Sequence, residues 1–242
     1  MPHPVCPYAA CDGFGSIYLP NPGSSAGSVS WCRCKYADKA AKHWQKTVGS
    51  HDQHVKLSDL VPSDKSKLPT NTQQKCIDVM KKNPADSYAM FGPSGTSKTT
   101  YTVALYRACL NDNYDNLRNT IRVKAKTLLE TIQAFRFDDN FDSSTAAPFT
   151  TATRIRNVAA KGIKTHLFLE ELEKVKYSEF KATELWDIID AIYEEGGQLV
   201  ISGNLTWADL NDTSKYMEGM PRRIEEVCPH LWDFWKYEKG KA

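Results

Sequence analysis

Positions 92–100 read Gly92-Pro93-Ser94-Gly95-Thr96-Ser97-Lys98-Thr99-Thr100. A glycine-containing loop of this kind can surround phosphates with backbone N–H groups. Lys98 would then meet the β/γ charge, and the Thr99 hydroxyl would reach magnesium. That is the layout of a P-loop, with one departure. The residue before the lysine is ordinarily glycine, and here it is Ser97. Its Cβ narrows the approach of backbone to phosphate, although the serine hydroxyl can itself donate a hydrogen bond. The plainer alternative is a polar strand-to-helix loop with a chance Lys-Thr.

Further signals follow in order. Glu170-Glu171 ends an apolar run 72 positions after Lys98. A nucleotide hydrolase needs one carboxylate to hold hydrated magnesium and a neighbour to polarise the attacking water. The first is ordinarily Asp, so Glu170, one methylene longer, would seat the ion slightly differently. EELEK also reads as the acidic start of a helix. Asn204 follows another apolar run and can orient the attacking water, contact the γ-phosphate, or cap the next helix. Arg222 and Arg223 can stabilise transition-state charge on a neighbouring subunit's nucleotide, or pair with Glu225 or Glu226 at the surface.

These residues need a frame to bring them together. Apolar runs predict strands at Ser87–Phe91, Lys164–Leu169 and Gln198–Ser202, and a helix from the loop through Leu110. Ile121–Phe135 reads as a strand followed by a helix, and 137–160 as irregular. Upstream, NTQQKCIDVMKKN reads as a helix with Cys76, Ile77, Val79 and Met80 on its apolar side. Strands alternating with helices predict an α/β domain with a parallel sheet, which binds ligands at the carboxyl ends of its strands.

The chain has 242 residues, 41% hydrophobic and 25% charged, which excludes wholesale disorder. With 31 basic against 29 acidic residues, it is not a strongly basic DNA-coating protein throughout. No apolar run approaches the ~18 residues of a membrane span, and the start, MPHPVCPYAA, lacks secretory organisation. A cytoplasmic protein without membrane contact is expected, and there thiols stay reduced.

The charge and cysteines are uneven. Residues 1–67 hold eight basic residues and five acidic ones, a net +3 that leaves −1 of the chain's +2 for the rest. Four of the seven cysteines lie there, Cys6 and Cys11, then Cys32 and Cys34 after a 20-residue loop. Two close thiolate pairs suit tetrahedral zinc, with an iron–sulfur cluster the chemical alternative. A segment this short needs such a staple. Residues 62–71 read as a linker, giving an N-terminal module at 1–67 and a main domain at 68–242. The basic face Lys39, Lys42 and Lys46 can track phosphates, dock a partner, or be merely solvated. His43, His51 and His54 are expected at the surface, and Cys76, Cys109 and Cys228 in the core.

The order of CPYAACDGFG, WCRC, FGPSGTSKTT, HLFLEE, ELWDIIDAIYEEGGQLVISGNL and RRIEE resembles the DnaC/DnaI-type bacterial helicase loaders, along nearly the whole chain. These are AAA+ ATPases, and DnaI-like and phage-borne members carry an N-terminal zinc module. The resemblance implies that 1–67 engages a replicative helicase and that 68–242 is an AAA+ domain binding ATP or ADP with Mg2+. It gives Lys98 and Thr99 the Walker A roles, Glu170 the magnesium place and Glu171 the water-activating place. Asn204 takes the sensor-1 position and Arg223, with Arg222 a close second, the arginine finger. Only 38 residues follow Asn204, which implies a reduced C-terminal lid. The implied partners are a hexameric replicative DNA helicase, single-stranded DNA and further copies of the chain in a ring or spiral. The resemblance brings the central region to single-stranded DNA, where Arg154, Arg156, Lys161 and Lys164 can meet phosphates and Phe149 can stack on a base, or the basic residues form a merely solvated helix face. Because Ser97 and Glu170 depart from the family pattern, binding is expected and turnover is expected to be slow. The alternatives are an IstB-type transposition helper and a nucleotide-binding switch with little hydrolysis.

Overall fold

The computed structural model describes residues 16–19, 28–31, 33–112, 117, 119–137 and 151–237. Two short strands, β1 (Ser16–Leu19) and β2 (Ser28–Trp31), pair antiparallel, with Ser16 opposite Trp31. Helix α1 (Arg33–Thr47) follows. Then come α2 (Thr70–Lys82), β3 (Tyr88–Phe91), α3 (Lys98–Asp112), β4 (Thr120–Lys124) and α4 (Ala125–Phe137). The chain continues through α5 (Ala152–Ala159), β5 (His166–Glu170), α6 (Glu179–Glu194), β6 (Gln198–Gly203), α7 (Trp207–Leu210), α8 (Met220–Val227) and β7 (His230–Asp233).

Five parallel strands lie in the order β4-β5-β6-β3-β7. The inner strands β3 and β6 are buried at every residue, and β5 at all but His166, as strands covered on both faces must be. Their side chains alternate between two cores. Ala89, Phe91, Leu167, Leu169, Leu199 and Ile201 face one core, with α4, α5, α6 and α8. Tyr88, Met90, Phe168 and Val200 face the other, with α1, α2 and α3. Gln198 is buried at the start of β6, where its amide donates to the Pro84 and Asp86 carbonyls and fixes how β3 is entered.

Several expectations change. Residues 137–160 include α5, begun by the Thr151 hydroxyl accepting from the Arg154 N–H and buried through Ala152 and Ile155. On α2, Val79 packs half-buried against the α3-side core, as expected of the apolar side, while Gln73 also takes an inward place. Its amide donates to the Leu68 carbonyl and accepts from the Ser63 N–H, which orders the linker. Cys76, Cys109 and Cys228 are buried, as expected.

The basic face of α1 has an apolar reverse. Ala40, Trp44 and Val48, at helical spacing, are buried, and Trp44 and Val48 join the α3-side core together with Val55 and Leu68. The end of α1 therefore packs on α3. His43, expected at the surface, is half-buried and bonds the Tyr106 hydroxyl at 3.0 Å. Burial, with Lys46 nearby, holds its imidazole below the usual range. Among the described residues no helix is long and apolar enough to cross a membrane.

Candidate active site

The carboxyl ends of β3, β5 and β6 open on a cleft of about 210 Å³. Its walls include Ser94, Lys98, Thr99, Glu170, Glu171 and Asn204, which the sequence singles out, and Glu173 and Lys174, which it does not. Residues 72 and more positions apart in sequence meet because parallel strands all point their carboxyl ends the same way.

The loop wall is shaped by close approach and by turn geometry. A Cβ on Gly92 would lie 2.5 Å from the Phe234 Cβ, so only glycine fits there. Its N–H donates to the Gly203 carbonyl at 3.2 Å, tying the loop to the end of β6. Ser97 has φ 63°, in the left-handed region. That conformation is why glycine is the usual residue before the lysine, and a serine there is strained by roughly 1–2 kcal/mol. Pro93, Gly95 and Thr96 build the loop without lining the cleft, and Thr100 lies in the first turn of α3. Thr96 is buried and donates to the Pro93 carbonyl at 2.9 Å.

Lys98 opens α3, whose first-turn N–H groups have no partners within the helix. Its ammonium folds back onto the carbonyls of Gly92 and Pro93, 2.8 Å from each. Burial pushes its pKa down to about 8, opposed by the charge of Glu173 and aided by Lys67. Lys67 comes from the linker. Its backbone N–H donates to the Gly95 carbonyl at 2.9 Å.

Glu170, the last residue of β5, is 6% exposed. It shares a sheet face with Phe168, whose register partner on β4 is Arg122, so Arg122 lies diagonally beside it. The guanidinium pairs with a Glu170 oxygen at 2.7 Å and also reaches the Thr47 carbonyl, at the end of α1, at 3.4 Å. Burial raises the Glu170 carboxyl above its ordinary range, and Arg122 works against it. Glu170 Oε1 and Arg122 Nε are buried with no hydrogen-bond partner among the described residues. A buried carboxylate oxygen in want of a partner, in a cleft shared with the Thr99 hydroxyl, fits a hard cation such as Mg2+.

Beyond Glu170 the chain turns sharply. Glu171 has φ 59°, left-handed, and starts a single 3-10 turn, Leu172–Lys174, in place of the helix that EELEK also suggests. Its Oε1 pairs with Lys124 at 3.1 Å and Lys174 at 3.2 Å. Burial works to raise its carboxyl, but the two ammonium groups outweigh this and hold it low. Glu173 faces the cleft, and its Oε2 accepts from the Asn204 N–H at 2.9 Å. Asn204 does not cap the next helix. Thr206 does, in a reciprocal capping box with Asp209.

Arg223 lies away from the cleft on α8. It pairs with Asp190 of α6 at 2.8 Å and Glu226 at 2.6 Å, with its guanidinium 4.5 Å from the centre of the Tyr193 ring. Its side chain is 24% exposed, against 85% for Arg222, which pairs with Glu226. Arg156 is held by Glu194 at 2.9 Å, while Lys161 and Lys164 are exposed. Phe149, Cys6, Cys11 and Cys32 lie outside the described residues, and Cys34 falls on α1. No cluster of three or more metal-ligating side chains occurs among the described residues.

No protein-family model matches the sequence, and no curated protein matches it. Solved structures do. The DnaC helicase loader superposes with a TM-score of 0.53 at 15% identity, covering 76% of this chain and 98% of that one. AMPPCP-bound DnaA from Aquifex aeolicus gives 0.51 at 12% identity, over 74% of this chain and 49% of that one. A DNA replication initiation factor gives 0.50 at 13%, with the same coverages. This chain spans about half the length of the latter two. Strand order and these superpositions together give the chain the α/β fold of DnaA and the DnaC helicase loader.

Proposed function

We propose that the chain is an ATP-dependent loader that binds a hexameric replicative DNA helicase and places it on single-stranded DNA. The observation that carries the nucleotide part of this reading is the cleft, where Lys98, Thr99, Glu170 and Asn204 converge at the carboxyl edge of the sheet, and the likeness to the DnaC helicase loader supports the rest. Lys98 would leave the loop carbonyls for the β/γ-phosphates, which offer a charged acceptor in place of two neutral ones. Thr99 and Glu170 would hold Mg2+, which when bound neutralises charge on the transferring phosphoryl group. Asn204 would contact the γ-phosphate side.

Turnover is slow in this reading. Ser97 carries backbone strain, and Glu170 is already engaged by Arg122. A loader can work as a nucleotide-gated clamp in which the γ-phosphate biases one assembly state over another. Of the two arginines, Arg222 has the exposure needed to reach a neighbouring subunit as it stands. Arg223 would first have to leave Asp190 and Tyr193.

Cys6, Cys11, Cys32 and Cys34 are the donor set of a tetrahedral zinc site. The β1–β2 register supports this, because it sets side by side the strand ends that lie nearest the two cysteine pairs in sequence. A pull-down with the host's replicative helicase tests the reading. The helicase should be retained in ATP, and Cys32→Ser should lower zinc below one per chain and weaken retention. Retention of duplex DNA and a transposase, with no helicase in any nucleotide state, would replace the reading with a transposition helper.

A further inference from the structure

The cleft holds three glutamates. The one that follows the strand-end carboxylate directly, Glu171, is turned by its left-handed backbone onto Lys124 and Lys174. The 3-10 turn then carries Glu173 back over the end of β6. There its Oε2 accepts from the Asn204 N–H and lies within 3.1 Å of where a Cβ on Gly203 would sit. Glu173 also lines the same cleft as Lys98. It therefore stands on the side of the cleft facing the group that would hold the γ-phosphate. Its Oε1 is the atom left to accept from a water.

We propose that Glu173, fixed by the backbone N–H of Asn204, is the carboxylate that orients and deprotonates the water attacking the γ-phosphate, and that Glu171 serves the turn and the cleft's charge balance. The inference rests on the nucleotide reading of the cleft. In the step, the water oxygen bonds to the γ-phosphorus as one of its protons passes to Glu173. The bond from that phosphorus to the β–γ bridging oxygen breaks, its electron pair leaves with ADP, and inorganic phosphate is released. A neutral amide at position 173 can still accept from the Asn204 N–H, so Glu173→Gln removes the base and keeps the turn.

The test compares wild type, Glu173→Gln, Glu173→Ala and Glu171→Gln for ATP affinity, ATP turnover, melting temperature and the pH dependence of turnover. Glu173→Gln should lose turnover roughly 100-fold or more. It should keep wild-type ATP affinity and melting temperature, and lose the acid limb of the pH profile. Glu171→Gln should lose clearly less turnover than Glu173→Gln and keep that limb. Three results overturn the assignment. In the first, Glu171→Gln loses as much as or more than Glu173→Gln. In the second, Glu173→Gln turns over normally while Glu173→Ala fails, which marks a purely structural role. In the third, the wild type binds ATP without hydrolysing it. Failure of the wild type to bind ATP at all would instead sink the nucleotide reading.

Discussion

On the loop wall of the cleft, the one charged group, Lys98, is satisfied by the backbone carbonyls of Gly92 and Pro93. On the opposite wall Glu170, Glu171 and Glu173 are each held by something different: Arg122, a pair of lysines, and the Asn204 N–H. Each wall contains one non-glycine residue in the left-handed region, Ser97 and Glu171, and these are the only two among the described residues. Left-handed residues cluster where a fold must present groups it would not otherwise present. The strain does different things on the two sides. At Ser97 it shapes a loop that glycine would shape more cheaply. At Glu171 it decides which of two neighbouring carboxylates faces the phosphate side.

The largest way to break this comparison is to unbalance the acidic wall. Arg122→Ala would strand the Glu170 carboxyl in the interior, and removing one partner of a buried pair destabilises by about 3–5 kcal/mol. Denaturant titration at pH 7 should show a loss of at least about 3 kcal/mol. The sign of its pH dependence follows from Glu170, whose folded pKa is already raised by burial and would rise further without Arg122. A raised carboxyl costs least below its unfolded pKa and most above its folded one. The variant's deficit should therefore shrink on acidification toward pH 4–5, and a deficit constant across pH would show that the pair is not its source.

A smaller effect belongs to the loop wall. Ser97→Gly relieves roughly 1–2 kcal/mol of left-handed strain. Added freedom in the unfolded chain offsets about 0.4–1 kcal/mol of that. The variant should gain about 0.5–1 kcal/mol, seen as a rise of about 2 °C in melting temperature. A lower melting temperature would mean that the Ser97 hydroxyl contributes more than its backbone costs.

The inner strands were readable in the sequence because strands buried on both faces are continuous apolar runs, as in Leu167–Leu169 and Leu199–Ile201. The edge strand β7 was not, because His-Leu-Trp-Asp is half-buried throughout and carries no such run. Helix α5 carries little apolar periodicity in the sequence, since it buries few side chains and depends on the Thr151 cap. In the cleft, Lys98, Thr99, Glu170 and Asn204 were legible as strand-end or loop motifs. Arg122 was not, because its role comes from strand register rather than from its own neighbours in sequence. Glu173 was visible only as one acid of EELEK. Its direction depends on the left-handed turn at Glu171, which no periodicity encodes.

The central claim, that this cleft is an ATP site, is tested most directly by equilibrium binding of ATP with Mg2+ to wild type and to Lys98→Ala, with melting temperatures checking that both are folded. Loss of a charge-assisted contact to phosphate predicts roughly 10- to 100-fold weaker binding by the variant. Wild-type affinity should itself weaken as pH rises through about 8, where the unliganded Lys98 sheds its proton. Equal affinity in the two folded proteins, unchanged across that pH range, would contradict the account.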